Sequence, residues 1–298
     1  MKTDRNTPKN LLYFLSGRVA IVAVLALTSM PARPLWAEGL EKQVKFDYLD
    51  KVLTLRHFYS GDRLRFHSDG SLQGDASVGP WTLDGQIEVE DIHVHGARLV
   101  IKGRRIHRVF DGQQKLQDQL TFIKNDHAKP PKDLEKSLQR LKVEIEIELP
   151  NETPDEQAVS AAMRAVFLAG SDSMTDVVPG YWRAYFAKQE GKPPSEPSTY
   201  GTVYSSKPGG TSPPHVTYQP DPEYSDPARK ARYQGTIVMG LTVDASGAPR
   251  DIQIVRPLGL GLDEKAVAAV GAWKFQPAQK DGNPVSATVM VEVSFHLY

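Results

Sequence analysis

The chain has 298 residues, enough for two folded units, and its 40% apolar and 24% charged residues are an ordinary globular balance. Lys plus Arg and Asp plus Glu stand at 36 each, which excludes the basic excess of a nucleic-acid binder. Cysteine is absent, so there is neither a disulfide framework nor a thiol nucleophile.

The N-terminus carries Lys2, Arg5, Lys9, Arg18 and Arg33 against the single acid Asp4, and encloses the apolar run "VAIVAVLALTSM" from Val19 to Met30. A basic region, a short apolar core and small residues are the layout of a secretory signal, here residues 1–37 with cleavage after Ala37. Twelve residues fall short of the roughly 20 that cross a bilayer as a helix. Retention as an anchor, with Leu11 to Leu15 extending the apolar segment, would bury Arg18 at a cost. Either outcome exports the remainder.

From Lys51 to Phe110, short alternating runs such as "KVLTLRHFY", "RLRFHSDGSL" and "QIEVEDIHVHG" are punctuated by Asp69-Gly70, Asp84-Gly85 and Asp111-Gly112, which predicts an antiparallel, meander-like β unit. In "LKVEIEIEL", Val143, Ile145, Ile147 and Leu149 alternate with Glu144, Glu146 and Glu148, a strand with one buried face that completes the sheet. Three helices are predicted beside it. Leu134, Leu138 and Leu141 mark one, and the capping box at Thr153-Pro154-Asp155-Glu156 opens a second with Val159, Met163 and Val166 as its stripe. Tyr181, Trp182, Tyr185 and Phe186 suit a third. This β-rich domain, residues 40–188, gives way to a tether at 189–212, where Pro193, Pro194, Pro197 and Pro208 sit among Ser, Gly and Lys.

The last part, residues 213–298, reads β-β-α-β. Ile237, Met239, Leu241 and Val243 share one face of a strand; "DASGAP" turns the chain; Ile252 and Ile254 continue the pattern. Asp263 is placed to cap a helix with Leu262, Ala266, Val270 and Trp273 at helical spacing. In the final strand Val289, Val291, Val293 and Phe295 alternate with Thr288, Met290, Glu292 and Ser294. The fold class is therefore α+β.

Side-chain chemistry is sparse. His93 and His95 point to one side of a strand, but a metal needs three or four convergent ligands, so a solvated face is the stronger reading. "GLGLDE" at Gly259 to Glu264 lies where a phosphate loop would, yet lacks both the third glycine of the dinucleotide fingerprint and a Gly-Lys-Ser/Thr sequence. No Gly-x-Ser-x-Gly elbow occurs. The Glu144, Glu146 and Glu148 run reads as a solvated face of mutually repelling charges. The chain is thus read as a non-enzyme with no catalytic, metal or cofactor residues.

One resemblance supplies a function. Tyr224 ahead of the Ala228–Tyr233 helix, Gly235 opening a strand, Asp244 and Gly247 in the turn, Leu262-Asp263 before the helix, Trp273 and Pro277 after it, and the closing "VSFHLY" make residues 213–298 resemble the C-terminal domain of the TonB family. The resemblance implies a periplasmic domain that acts by contact, pairing with a short peptide of an outer-membrane receptor, with an inner-membrane proton-driven motor as a further partner if the N-terminus is an anchor. The family's receptor-contacting segment corresponds to Gln219, Asp221, Glu223 and Tyr224. The strand that the peptide joins corresponds to Met290, Val291, Glu292, Val293, Ser294 and Phe295. A soluble periplasmic adaptor is the alternative, and an enzyme housed in residues 40–188 a third possibility.

Overall fold

The computed structural model of the protein describes residues 35–125, 134–193, 204–205 and 211–297; the expected signal sequence lies outside them, apart from its last three positions, and so does most of the tether. In chain order the first part runs α1 (Leu35–Tyr48), β1 (Val52–Thr54), β2 (Arg63–Phe66), β3 (Leu72–Gln73), α2 (Trp81–Asp84), β4 (Gln86–His95), β5 (Arg98–Arg105), β6 (Arg108–Phe110), β7 (Leu116–Asp118), α3 (Gln119–Asn125), α4 (Leu134–Gln139), β8 (Lys142–Glu148), α5 (Glu156–Val166), α6 (Met174–Val177) and α7 (Gly180–Gln189). Among the described residues no helix is long and apolar enough to cross a membrane.

A six-stranded sheet in the order β1-β4-β5-β8-β2-β3 organises this part. Its pairs are antiparallel except β2 with β8, which run parallel with Leu64 opposite Ile145. The purely antiparallel meander is therefore corrected to a mixed sheet, because β8 returns after α3 and α4 to enter between β5 and β2. Alternation decides the faces: Ile87, Val89, Ile92, Leu99, Ile101, Ile145 and Ile147 are all fully buried. The glutamates of β8 are not a bare repelling face. Arg98 lies 3.6 Å from Glu146, Lys102 3.8 Å from Glu144, and His67 2.8 Å from Glu148.

Helix prediction was right in kind and short in number. Helix α5 begins two residues later than the capping box implied: Asp155, not Thr153, is the N-cap, its carboxylate accepting from Ala158 N at 2.8 Å. Helix α1 went unpredicted. Its Val44 is buried against the sheet while Phe46 is 81% exposed, so its apolar residues form no clean stripe.

The second part comprises β9 (Tyr204–Ser205), β10 (Thr211–Ser212), β11 (His215–Tyr218), α8 (Asp226–Ala231), β12 (Gly235–Val243), β13 (Pro249–Arg256), α9 (Leu262–Gly271), β14 (Lys274–Gln276), β15 (Ala278–Lys280), β16 (Asn283–Val285) and β17 (Ala287–Phe295). Its main sheet has the order β13-β12-β17-β9, with β12 and β17 paired over nine residues from Gly235↔Phe295 to Val243↔Ala287. Ile237, Met239, Leu241, Ile254, Val293 and Phe295 on the sheet, with Leu262, Ala266 and Val270 from α9, are buried together, the β-β-α-β unit read from the sequence.

The change of composition at the tether is not a break in packing. From Leu35 onward the chain forms one body, whose core runs without interruption from Ile87 and Trp81 to Leu260 and Val270.

Candidate functional site

Two sets of contacts join the two parts, next to an aromatic cluster that belongs wholly to the first. Trp81, Phe110, Trp182, Tyr185 and Phe186 form an aromatic cluster, with Trp81 edge-on to Trp182 at 5.4 Å between centroids. Helix α7 packs against β13, where Ala184 N reaches Gln253 Oε1 at 3.4 Å. The loop from Leu258 to Gly261 seals the joint: Phe110 N donates to Leu258 O and Leu260 N to Arg108 O, each at 2.9 Å, and Gly261 N donates to Thr82 Oγ1 at 3.0 Å.

That loop is the one whose sequence suggested a phosphate site or a simple cap. Its N–H groups are already committed. Gly259 has φ +91°, and a Cβ there would meet Arg108 O at 2.3 Å, so glycine is needed both for the conformation and for the close approach of β6. Asp263 does not cap α9 in the expected way. It sits in the first turn, fully buried, and its carboxylate reaches back to accept from Leu258 N at 2.9 Å and Gly259 N at 2.7 Å. Burial drives its carboxyl well above the ordinary range, the neighbouring Glu264 adds to the rise, and the two backbone bonds oppose it.

The residues expected to meet a partner fall into two strips that touch. Gln219, Asp221 and Glu223 are exposed along the segment leading to α8. Glu223 is held by Lys265 Nζ at 2.7 Å, and the lysine's hydrogen bond and charge lower its carboxyl. Trp273 Nε1 donates to Pro220 O at 3.4 Å, fixing the start of the strip. Tyr224 joins the two strips: its hydroxyl donates to Tyr233 O at 3.1 Å and its ring stands edge-on to Phe295, 5.3 Å between centroids. Burial raises the phenol.

On β17 the side chains divide. Val291, Val293 and Phe295 are core residues, so only their backbone is offered at the edge, whereas Met290, at 60% exposure, and the exposed Glu292 and Ser294 line the outward face. Ser294 Oγ lies 3.0 Å from Thr236 Oγ1 on β12. Beyond β12, the pairing of β17 consists of a short parallel bridge to β9, Ala287↔Tyr204 and Thr288↔Ser205. From Val289 to Phe295 the second side of β17 has no strand partner among the described residues. The opposite edge strand, β13, has α7 against it.

Of the histidine pair, His95 is exposed as expected and His93 is not. His93 is partly covered, with Nδ1 2.9 Å from Glu41 Oε1 and Nε2 2.6 Å from Asp91 Oδ2, and its ring stacks on His95 at 5.6 Å. These contacts tie α1 to β4. Among the described residues no group of three His, Asp or Glu could hold a metal.

Three long strands, β13, β12 and β17, with the two-residue β9 at one end and α9 as backing, form a small domain in which β13 carries α7 and β17 is open along most of its length, so that its chemistry resides in a backbone edge. Residues 220–297 match the family described as Gram-negative bacterial TonB protein C-terminal, and this part of the chain is a TonB C-terminal domain. The chain is 36% identical over 81 residues to Protein tonB2 of Pseudomonas aeruginosa and 32% identical over 106 residues to Protein TonB of Vibrio cholerae. These alignments cover 27% and 35% of this chain and 30% and 43% of the relatives, so less than half of either relative's length is matched. Among solved structures, the solution NMR structure of the Pseudomonas aeruginosa TonB CTD aligns with 33% of this chain and 99% of its own, at 21% identity and a TM-score of 0.24.

Proposed function

We propose that this is a TonB-like, non-enzymatic envelope protein whose C-terminal domain takes up a short extended peptide of an outer-membrane receptor by strand addition to β17, in support of energy-coupled transport. The observation that carries this reading is the open edge from Val289 to Phe295. Unpaired N–H and C=O groups along an edge are a template for one more strand, and they give affinity without any reactive side chain. Met290, Glu292 and Ser294 would lie beside the incoming peptide, and Gln219 to Tyr224 would extend the contact around Phe295. The periplasm is the proposed location, and an inner-membrane proton-driven motor a partner if the N-terminus is retained as an anchor. The second reading, a soluble adaptor without energy transfer, is favoured by the docking of the β-rich part on the TonB-like domain, which shortens its reach. N-terminal sequencing separates the two: a mature chain beginning near Glu38 supports the adaptor, an intact Met1 chain in the inner membrane the transducer.

Strand addition itself is tested by proline. Successive N–H groups point to opposite edges, so of Val291 and Glu292 one donates toward β12 and the other outward. Val291→Pro and Glu292→Pro are compared by circular dichroism, melting and capture of receptor peptides. One variant should lose several kcal/mol and its fold, and the other should stay folded and fail to bind. Normal binding by the folded variant would remove β17 as the docking edge.

A further inference from the structure

Glu264 is an acid that reaches across the joint between the two parts. From α9 its Oε1 accepts a hydrogen bond from Trp182 Nε1 of α7 at 2.9 Å. The stem of Glu264 is partly exposed, but Oε2 is buried with no hydrogen-bond partner among the described residues. Trp182 is fully buried within the aromatic cluster, so this carboxyl group is sealed only while α7 lies on α9.

A negative charge there is favoured by two N–H groups, that of Trp182 and the backbone N–H of Glu264 itself, and Oε2 has no hydrogen-bond partner among the described residues. From α7, Trp182 and Tyr181 face Glu264; from its own helix, the buried Asp263 is beside it, and Asp263 is faced in turn by Tyr185 of α7 and by Tyr233. The next lysine, Lys265, is engaged with Glu223. An ionised carboxylate with half of its acceptor capacity unmet in a dry site is costly, whereas a protonated one is tolerated, and separation of the two parts would return it to water.

We propose that the joint between the β-rich part and the TonB-like domain is a proton-operated latch, closed while Glu264 carries its proton and weakened when Glu264 ionises. Burial moves the Glu264 carboxyl up from its ordinary 4.5. The closed form therefore keeps the proton to higher pH than the open form. The support for closure is complete below 4.5 and is lost as pH rises through the closed-state value. Burial raises Asp263 too, but its bonds to Leu258 and Gly259 lie within the TonB-like domain and persist on opening, so it does not drive the latch.

The test uses the full chain and hydrogen exchange followed by mass spectrometry at pH 5 to 9, corrected for intrinsic exchange. Protection of the α7 and α9 peptides should fall with rising pH, by up to about tenfold for each unit that the closed-state value lies above the ordinary one. Protection of β4 and β5, remote from the latch, should stay level. Glu264→Gln keeps an acceptor for Trp182 and cannot ionise, so its α7 protection should be flat across the range; Glu264→Met serves the same comparison if the glutamine variant does not accumulate folded. A flat wild-type profile, an unchanged slope in the variant, or a parallel loss in β4 and β5 would overturn the proposal.

Discussion

Replacing Gly259 with alanine should loosen the joint between the two parts more than its single added methyl suggests. The residue sits at φ +91°, where an L side chain costs about 1 kcal/mol or more in backbone strain. The new Cβ would lie 2.3 Å from Arg108 O and 2.9 Å from the Val109 Cα, both backbone atoms that cannot swing aside. Relief requires β6 and the loop to part by about an ångström, which stretches the Phe110 N to Leu258 O and Leu260 N to Arg108 O bonds beyond useful length. At about 1 kcal/mol for each, the total loss is about 3 to 4 kcal/mol, a melting shift of about 10 °C for a body of this size. Urea denaturation of the full chain, followed by tryptophan fluorescence, reads the loss. Exchange protection in the β12–β13 hairpin, which does not touch Arg108, should survive the change. A loss below about 1 kcal/mol would show that the two backbones do not approach as described, and would refute the argument.

Asp244 offers a second check, at low pH. Burial alone would raise it, but hydrogen bonds from Ser246, Ala248 and Arg250 outweigh that and hold it at about 2. A lowered carboxyl contributes stability that is present above its ordinary 3.8 and lost as pH falls through about 2, so Asp244→Ala should melt below wild type at pH 5 and level with it near pH 2. A gap independent of pH would contradict this assignment. Limited proteolysis within residues 189–212 should give two fragments that still elute together in size-exclusion chromatography, because Trp182, Leu260 and Leu262 are sealed in one core; separate elution would mean that the shared core does not hold them.

The C-terminal part was legible because its signals are local. Alternation in Ile237 to Val243 and in Val289 to Phe295, with the helical spacing of Leu262, Ala266 and Val270, placed every principal element. The joint was not. Trp182 and Phe186 announce a buried helix face, but nothing in a 3.6-residue period says whether that face meets its own sheet or another, whose Gln253 lies 69 residues beyond Ala184. The loop at Gly259 was read as a turn and a cap, since a glycine demanded by a neighbouring backbone looks the same in sequence as one demanded by a turn. Strand order was hidden for a related reason: Leu64 and Phe66 alternate as well for a parallel neighbour as for an antiparallel one, so the insertion of β8 between β5 and β2 left no local mark. Exposed edges leave none either, and the docking role proposed for β17 was reached through resemblance alone.

The position of α7 has a consequence for how copies of this chain meet. A sheet open on both sides can grow without limit, each molecule adding to the last, and this is how ribbons and fibres begin. With α7 lying on β13, growth of that kind has only one direction left. Two copies meeting edge to edge along β17 would each occupy the other's open edge in this sheet and stop as a closed pair, and a receptor peptide on the same strand would prevent even that.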